Sequence, residues 1–369
     1  MKDIHGGNIW GASVASSIPV EDILDFSASI NPFGAPDGVR AAIEQVLKKG
    51  LASPYPDPES SALRSSLAHF HGVLPEEVLP GNGSTEFIYF IPRVYRPKNA
   101  LIVEPAFSEY RRALEGSGCR VGSLVLREKD GFAFDPGRFA DKVKRGFDLV
   151  VLANPANPTG ALIEKAEVME AAKICGKQGA TLVVDEAFAD FAEAGSIKRE
   201  CTAMRNVVVL RSMTKFFSMA GLRLGFIVAR ASTVKRFSSF IPPWSVNTLA
   251  SAAGGAALED SGYISKTLRW AAAERSALFK GLSSIGALKP YPGAANFLMA
   301  KITSPLTAAE LKARLFSDRI FIRDLSAFRG LGNKHFRVAL RKGRENRLLI
   351  DALRTVFEKG RDKDIAGEL

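Results

Sequence analysis

TLVVDEAFADF, residues Thr181–Phe191, joins a short apolar run to two consecutive carboxylates. Leu182 to Val184 is brief and Val-rich, which reads as a strand buried on both faces of a parallel sheet. Asp185 and Glu186 follow where such a strand ends, and the aromatic Phe188 comes two residues later. A carboxylate buried there is costly unless a cation or strong donors meet it. The chemistry of the chain turns on what Asp185 meets.

The same pattern recurs on either side. ALIVEP, DLVVLANP, NVVVLRS and LGFIVA are further short apolar runs between Ser60 and Val228. Segments such as EKAEVMEAAKICGKQG, an amphipathic helix closed by Gly, separate them. This alternation predicts the α/β class, a mainly parallel sheet with helices on both faces. Ligands of such sheets bind beyond the carboxyl ends of the strands. The residues that follow each run therefore matter most: Glu104 to Phe107, Asn154-Pro155, Asp185-Glu186 and Arg211-Ser212.

The proline pair of FIPPWSVN punctuates the chain after the sheet region. SKTLRWAAAERSALFKGLSSIG then reads as a long helix leading to a second unit. That unit holds the strands ANFLMAKI, IFIRD and HFRVAL, the helix TAAELKARLFSD and a final helix RENRLLIDALRTVFEKG. Residues 40–255 are expected to form the large domain, and 1–39 with 256–369 a smaller α+β domain with an N-terminal arm. RDKDIAGEL reads as a frayed polar tail.

Composition narrows the classes. A chain of 369 residues, 46% apolar and 24% charged, suits a soluble globular protein of roughly two domains. No apolar stretch approaches the roughly 18 residues of a membrane span, and the start lacks a signal-peptide core. Cys119, Cys175 and Cys201 are odd in number and far apart, matching neither a zinc pattern nor a disulfide framework. They fit reduced core thiols in a cytoplasm. A net charge of +11 allows nucleic-acid binding or a site for small anions. The basic residues are scattered, with no Arg-rich tail, zinc finger or aromatic-and-basic signature, which disfavours nucleic acid.

LRSMTKFFSMAGLRLGF sets Lys215 after a strand and among Met213, Phe216, Phe217 and Met219. Such a lysine either snorkels or has its pKa pushed down by desolvation. The second state suits an amine that must attack a carbonyl. Ser212 and Thr214 precede it and Arg223 follows, a set that suits a phosphate monoester. LPGNGSTEFIYFI sets Gly81, Gly83, Ser84 and Thr85 ahead of a helix, whose free N–H groups are a ready phosphate site. The spacing is neither GxGxxG nor a Walker loop. NPANPTG, from Asn154 to Gly160, makes a rigid turn that fixes the Asn157 amide.

Taken together, these motifs resemble the fold-type-I pyridoxal-phosphate enzymes, the aspartate aminotransferase superfamily, in the order Asn157, Asp185, Lys215, Arg223. The resemblance implies a seven-stranded large-domain sheet, pyridoxal 5'-phosphate as cofactor, no metal, and a homodimer. It implies that Lys215 carries the cofactor, that Asp185 pairs with its ring nitrogen and that Asn157 donates to its phenolic oxygen. Phe107 of PAFSEY would stack on the ring. Gly83, Ser84, Thr85, Ser212, Thr214 and Arg223 would cradle the phosphate, with Tyr55 of SPYPDP arriving from the partner subunit. Arg337 of HFRVAL would grip the substrate carboxylate. Glu186 and Asp190 read as solvated or helix-start charges. Trp244 reads equally as core or as a site wall.

Within the superfamily, YPDP, NPANPTG, DEAF and GLRLGF resemble the histidinol-phosphate aminotransferase branch. HGGN, DFSASINPFG, PAFSEY, DEAFADF, PWSVN and FIRD resemble its relatives, the threonine-phosphate decarboxylases of cobalamin biosynthesis. That second likeness makes His5, Gly7, Asn8, Asn31 and Arg323 candidates for a phosphorylated amino-acid substrate. Aminotransferases of the branch carry a tyrosine where this chain has Phe188. The expected reaction is decarboxylation of L-threonine O-phosphate to an aminopropanol phosphate; amino transfer from histidinol phosphate to 2-oxoglutarate is the alternative. A nucleic-acid-binding regulator on the same fold is a third reading, disfavoured because the chain has no spare length before DFSASINPFG for a DNA-binding module.

Overall fold

The structure, a computed structural model, describes residues 6–366. β1 (Leu24–Asp25) opens the chain's strands. The large sheet contains β2 (Val78–Gly81), β3 (Asn99–Glu104), β4 (Arg120–Val125), β5 (Leu149–Ala153), β6 (Thr181–Asp185), β7 (Val207–Ser212) and β8 (Gly225–Val228). They form a seven-stranded sheet in the order β2-β8-β7-β6-β5-β3-β4. β7, β6, β5, β3 and β4 run parallel; β8 is antiparallel to both β7 and β2.

Strand chemistry explains the layers. In β5, Val150 and Leu152 join one core cluster while Leu149 and Val151 join the other. β6 and β7 divide in the same way, Val184 and Val209 to one face, Val183 and Val208 to the other. Both faces are therefore covered, which is why these strands are continuously apolar rather than alternating. Each buried Val or Leu contributes roughly 1.5–3 kcal/mol to that packing. The helix Lys165–Lys177 between β5 and β6 ends as expected, with Gly179 just beyond it at φ 70°.

A smaller four-stranded sheet, wholly antiparallel, follows the 23-residue helix Ser261–Ser283. It contains β9 (Leu288–Pro290) and β10 (Phe297–Ile302). IFIRD, expected as one strand, is split at Ile322. β11 (Ile320–Phe321) pairs parallel with β1, and β12 (Arg323–Asp324) pairs antiparallel with β13 (His335–Ala339). The switch lets one short segment bridge two sheets and turns Arg323 to face Arg337. The last helix, Gly343–Ala366, runs through most of the segment expected to fray. No helix among the described residues is long and apolar enough to cross a membrane. The three cysteines are buried and unpaired with one another.

Candidate active site

Parallel strands share an edge, so the ends of β5, β6 and β7 open on one cleft, with β8 doubling back beside them. Asp185 closes β6 on the cleft floor, in register with Ala153 of β5. Its Oδ2 accepts from the Tyr110 hydroxyl at 2.5 Å and its Oδ1 from the Ala187 N–H at 2.9 Å. Burial raises the carboxyl's pKa, opposed by those two hydrogen bonds and by the nearby Lys215.

Lys215 lies just beyond β7 on the same cleft. Burial, then the charges of Arg223 and Arg337, bring its ammonium down to about 8 against the pull of Asp185. Of the two states open from sequence, desolvation with a lowered pKa is the one present. Roughly a tenth of such lysines are neutral at pH 7, against fewer than about one in a thousand for an ordinary lysine.

One end of the cleft is a cradle of small groups. Gly83 precedes the helix Ser84–Tyr95, and Ser84 and Thr85 of its first turn line the cleft. Ser212 Oγ lies 2.7 Å from Thr214 Oγ1. Gly225 is in register with Ser212, and a Cβ there would come 2.3 Å from the Ser84 nitrogen. Only glycine lets these backbones approach so closely. Arg223 reaches over Gly83: a Cβ on that glycine would sit 2.7 Å from its Nη2. Hydroxyls, a helix N-terminus and a guanidinium converge here, a donor set that fits a phosphate monoester.

The other end is cationic. Arg323 and Arg337 are register partners across β12 and β13, both buried, and both line the cleft. Like charges opposite one another destabilise a sheet unless an anion joins them. Burial first, and Arg323 second, push the Arg337 guanidinium below its ordinary pKa. Arg337 donates to Asn157 Oδ1 and, at 2.9 Å, to the Ser27 carbonyl, and it lies over the Phe297 ring at 4.8 Å. Phe297 also meets Phe188 edge-on at 5.0 Å, so Phe188 forms a dry wall of the cleft beside Asp185. With its Oδ1 engaged, Asn157 turns its amide N–H groups away from Arg337, where they can donate to a bound group. Phe107, at the N-terminus of the helix Ser108–Gly116, supplies an aromatic wall.

Several expected residues lie elsewhere. Asn31 is buried off the cleft: its amide donates among the Phe216 carbonyl, the Tyr263 hydroxyl and Thr267 Oγ1 at 2.9–3.0 Å. Its donors are spent on tying the N-terminal segment to the segment after Lys215, so it is a structural clamp rather than a substrate ligand. Asn8 caps the helix Ile9–Ser16, accepting from the Gly11 N–H at 3.1 Å, on a groove apart from the cleft. Gly7 donates to Ser27 Oγ at 2.7 Å, and its neighbour Gly6 reaches the cleft wall. His5 lies outside the described residues. Tyr55 is 77% exposed, off the cleft, and stacked on Trp244 at 4.3 Å. Trp244 is thus neither core nor a wall of this cleft.

Glu186 is not solvated. It is fully buried, bound to Arg211 at 3.0 Å, to Ser196 Oγ at 2.5 Å and to the Ile197 N–H at 2.9 Å. Asp190 joins the same cluster through Arg211 at 2.6 Å. Ser27, Ser29 and Tyr110, which no motif singled out, also line the cleft. The Ser29 hydroxyl is buried with no hydrogen-bond partner among the described residues, an acceptor-donor left for a bound molecule. Spacing offered a signal for Tyr110, three residues after Phe107 and so on its face of one helix.

Comparisons with known proteins agree with this geometry. The sequence profile of the family "Aminotransferase class I and II" matches residues 21–353. The threonine-phosphate decarboxylase of Salmonella typhimurium is 37% identical over 96% of this chain and 96% of its own. The crystal structure of a histidinol-phosphate aminotransferase from Clostridium acetobutylicum is similar with a TM-score of 0.85, at 28% identity, covering 91% of this chain and 100% of that one. The crystal structure of an L-threonine-O-3-phosphate decarboxylase from Porphyromonas gingivalis follows at 0.80, also 28% identical, covering 91% and 100%. A lysine and an aspartate at the strand ends, a cradle of hydroxyls at a helix N-terminus and a buried arginine pair thus occur on a fold shared along almost the whole chain: the protein belongs to the aminotransferase class I and II family.

Proposed function

We propose that the chain is a pyridoxal-phosphate-dependent carboxy-lyase that decarboxylates L-threonine O-phosphate to (R)-1-aminopropan-2-ol O-phosphate for cobalamin biosynthesis. The observation that carries this reading is the buried Arg323–Arg337 pair on the same cleft as Lys215. A substrate bearing both a carboxylate and a phosphate has an anionic group to offer each guanidinium. The likeness to the Salmonella decarboxylase supports the choice of substrate.

When bound, the cofactor would supply an electron sink for a carbanion at the substrate's α-carbon. The chain's own residues do the rest. Asp185 would offer its carboxylate to the cofactor's ring nitrogen. Lys215 would hold the cofactor through its amine and, once released, carry a proton to the α-carbon. Asn157 would donate to the phenolic oxygen, and Phe107 would cover the ring face. Gly83, Ser84, Thr85, Ser212, Thr214 and Arg223 would hold the phosphate. Arg337 and Arg323 hold the substrate's charged ends and so decide which α-carbon bond faces the electron sink. Phe188 adds no donor to the cleft and helps keep water out of it.

The division into residues 40–255 and 1–39 with 256–369, and a cytoplasmic homodimer, go with this reading. Tyr55, exposed and off the cleft, would serve a partner's site in such a dimer. Amino transfer from histidinol phosphate is the second reading, favoured by the structural likeness to the Clostridium enzyme. Incubating the pure protein with L-threonine O-phosphate separates the two. Release of CO2 is expected; no CO2, with amino transfer from histidinol phosphate to 2-oxoglutarate, overturns the proposal.

A further inference from the structure

Asp185 is held by two donors from two different elements. The Ala187 N–H belongs to the turn that follows β6, and the Tyr110 hydroxyl comes from the helix Ser108–Gly116, 75 residues earlier in the chain. One donor alone would leave the carboxylate free to rotate about its Cβ–Cγ bond. Donors on both oxygens fix its plane and leave each oxygen a second lone pair for a bound group. Tyr110 is itself fixed: it is 3% exposed, and Phe107 meets it edge to face at 5.8 Å. The ring on the cleft wall and the hydroxyl under the carboxylate thus sit on one rigid turn of helix.

We infer that Tyr110 is a positioning residue of this site, holding the Asp185 carboxylate ionised and in one orientation toward the cofactor's ring nitrogen. The inference rests on the reading that Asp185 pairs with pyridoxal phosphate. A phenol suits the task because it stays a donor at every working pH. Burial first, then the charge of Asp185, push its pKa well above the ordinary 10, and Glu104 adds to the effect. For Asp185 the balance runs the other way: burial raises its pKa, and the Tyr110 bond opposes that most strongly, ahead of the Ala187 N–H and Lys215. The charged groups around the pair are Lys215, with Arg223 and Arg337 acting on it, and Glu104, which is bound to Arg111 at 3.2 Å. Removing the hydroxyl leaves the burial and deletes its chief opponent, so Asp185 takes up a proton at higher pH.

Tyr110→Phe, loaded with pyridoxal phosphate, tests this against wild type. Retention of pyridoxal phosphate is expected to weaken about tenfold, the loss of one hydrogen bond to a charged group. The acid limb of kcat for CO2 release from L-threonine O-phosphate, and the matching absorbance change of the bound cofactor, should move up by about one pH unit. KM for the substrate should stay within about twofold, because the substrate's anions are held elsewhere. Placing 3-fluorotyrosine at position 110 strengthens the donor and should move the limb the opposite way, which keeps the test open if Tyr110→Phe does not fold. A fluorotyrosine enzyme whose pH profile and cofactor retention superimpose on wild type would overturn the inference, as would a Tyr110→Phe enzyme that did so. A wild-type protein that fails to hold pyridoxal phosphate would overturn the reading of the site, and the inference with it.

Discussion

The Arg337 guanidinium donates to Asn157 Oδ1, joining β13 of the small sheet to the turn after β5 of the large one. The residue expected to grip the substrate is thereby tied to a residue expected to touch the cofactor. Lysine in its place would keep the charge and lose the planar fork that bonds Asn157 and the Ser27 carbonyl together. Arg337→Lys should therefore lower kcat/KM for L-threonine O-phosphate by roughly 10²–10³ while cofactor absorbance is retained. Steady-state kinetics beside a visible spectrum check both halves.

Asn31 provides the contrasting case. Because its amide is spent on the Phe216 carbonyl, Tyr263 and Thr267, Asn31→Ala leaves buried acceptors and a hydroxyl unmatched. A loss of about 1–3 kcal/mol in urea unfolding is expected. Substrate KM in the folded fraction should stay within about twofold of wild type.

Arg211 is 1% exposed and binds Glu186, Asp190 and Glu193. Arg211→Met strands those carboxylates, two of them deeply buried, around a residue that can answer none of them. The expected cost is about 3–5 kcal/mol, read as a fall in the urea midpoint of the cofactor-free protein. Glu186 lies beside Asp185 in sequence, so poorer cofactor retention should accompany it.

Lys215 gives a pH signature. Its folded pKa, about 8, lies below the 10.5 of an ordinary lysine, so the folded state resists the ammonium. That cost is fully present below pH 8 and is relieved as pH rises from 8 toward 10.5, where the unfolded chain still binds the proton. Without cofactor, Lys215→Met should be more stable than wild type at pH 7, and the difference should shrink by pH 9.5. Urea melts of both proteins at the two pH values measure it. A gap that widens with pH would contradict the assignment.

Much of the architecture was legible because it is written locally. The apolar runs that became β3, β5, β6, β7 and β8 are short enough to be strands and too uniformly apolar to have a wet face. Their carboxyl ends name Asp185, Ser212 and the Asn154-Pro155 turn from the sequence itself. IFIRD misled because two sheets compete for one segment, and apolar content does not say which neighbour a strand will choose.

Adjacent carboxylates illustrate the limit. Nothing within DEAF separates Asp185, offered to the cleft, from Glu186, locked to Arg211 on the other side of the strand end. In DFSASIN, likewise, Asn31 carries the richer side chain, yet Ser29 lines the cleft and Asn31 turns inward. The sequence by itself determined the strand–helix alternation, the edge where a ligand sits and the order of the residues along that edge. The tertiary structure alone decided which polar groups have protein partners and which are left for a ligand. Asn31 meets Thr267 across 236 residues, Arg337 meets Asn157 across 180, and Tyr110 meets Asp185 across 75. Local patterning reports only which face of an element is apolar, whereas a polar group's partner depends on what the rest of the chain folds against it.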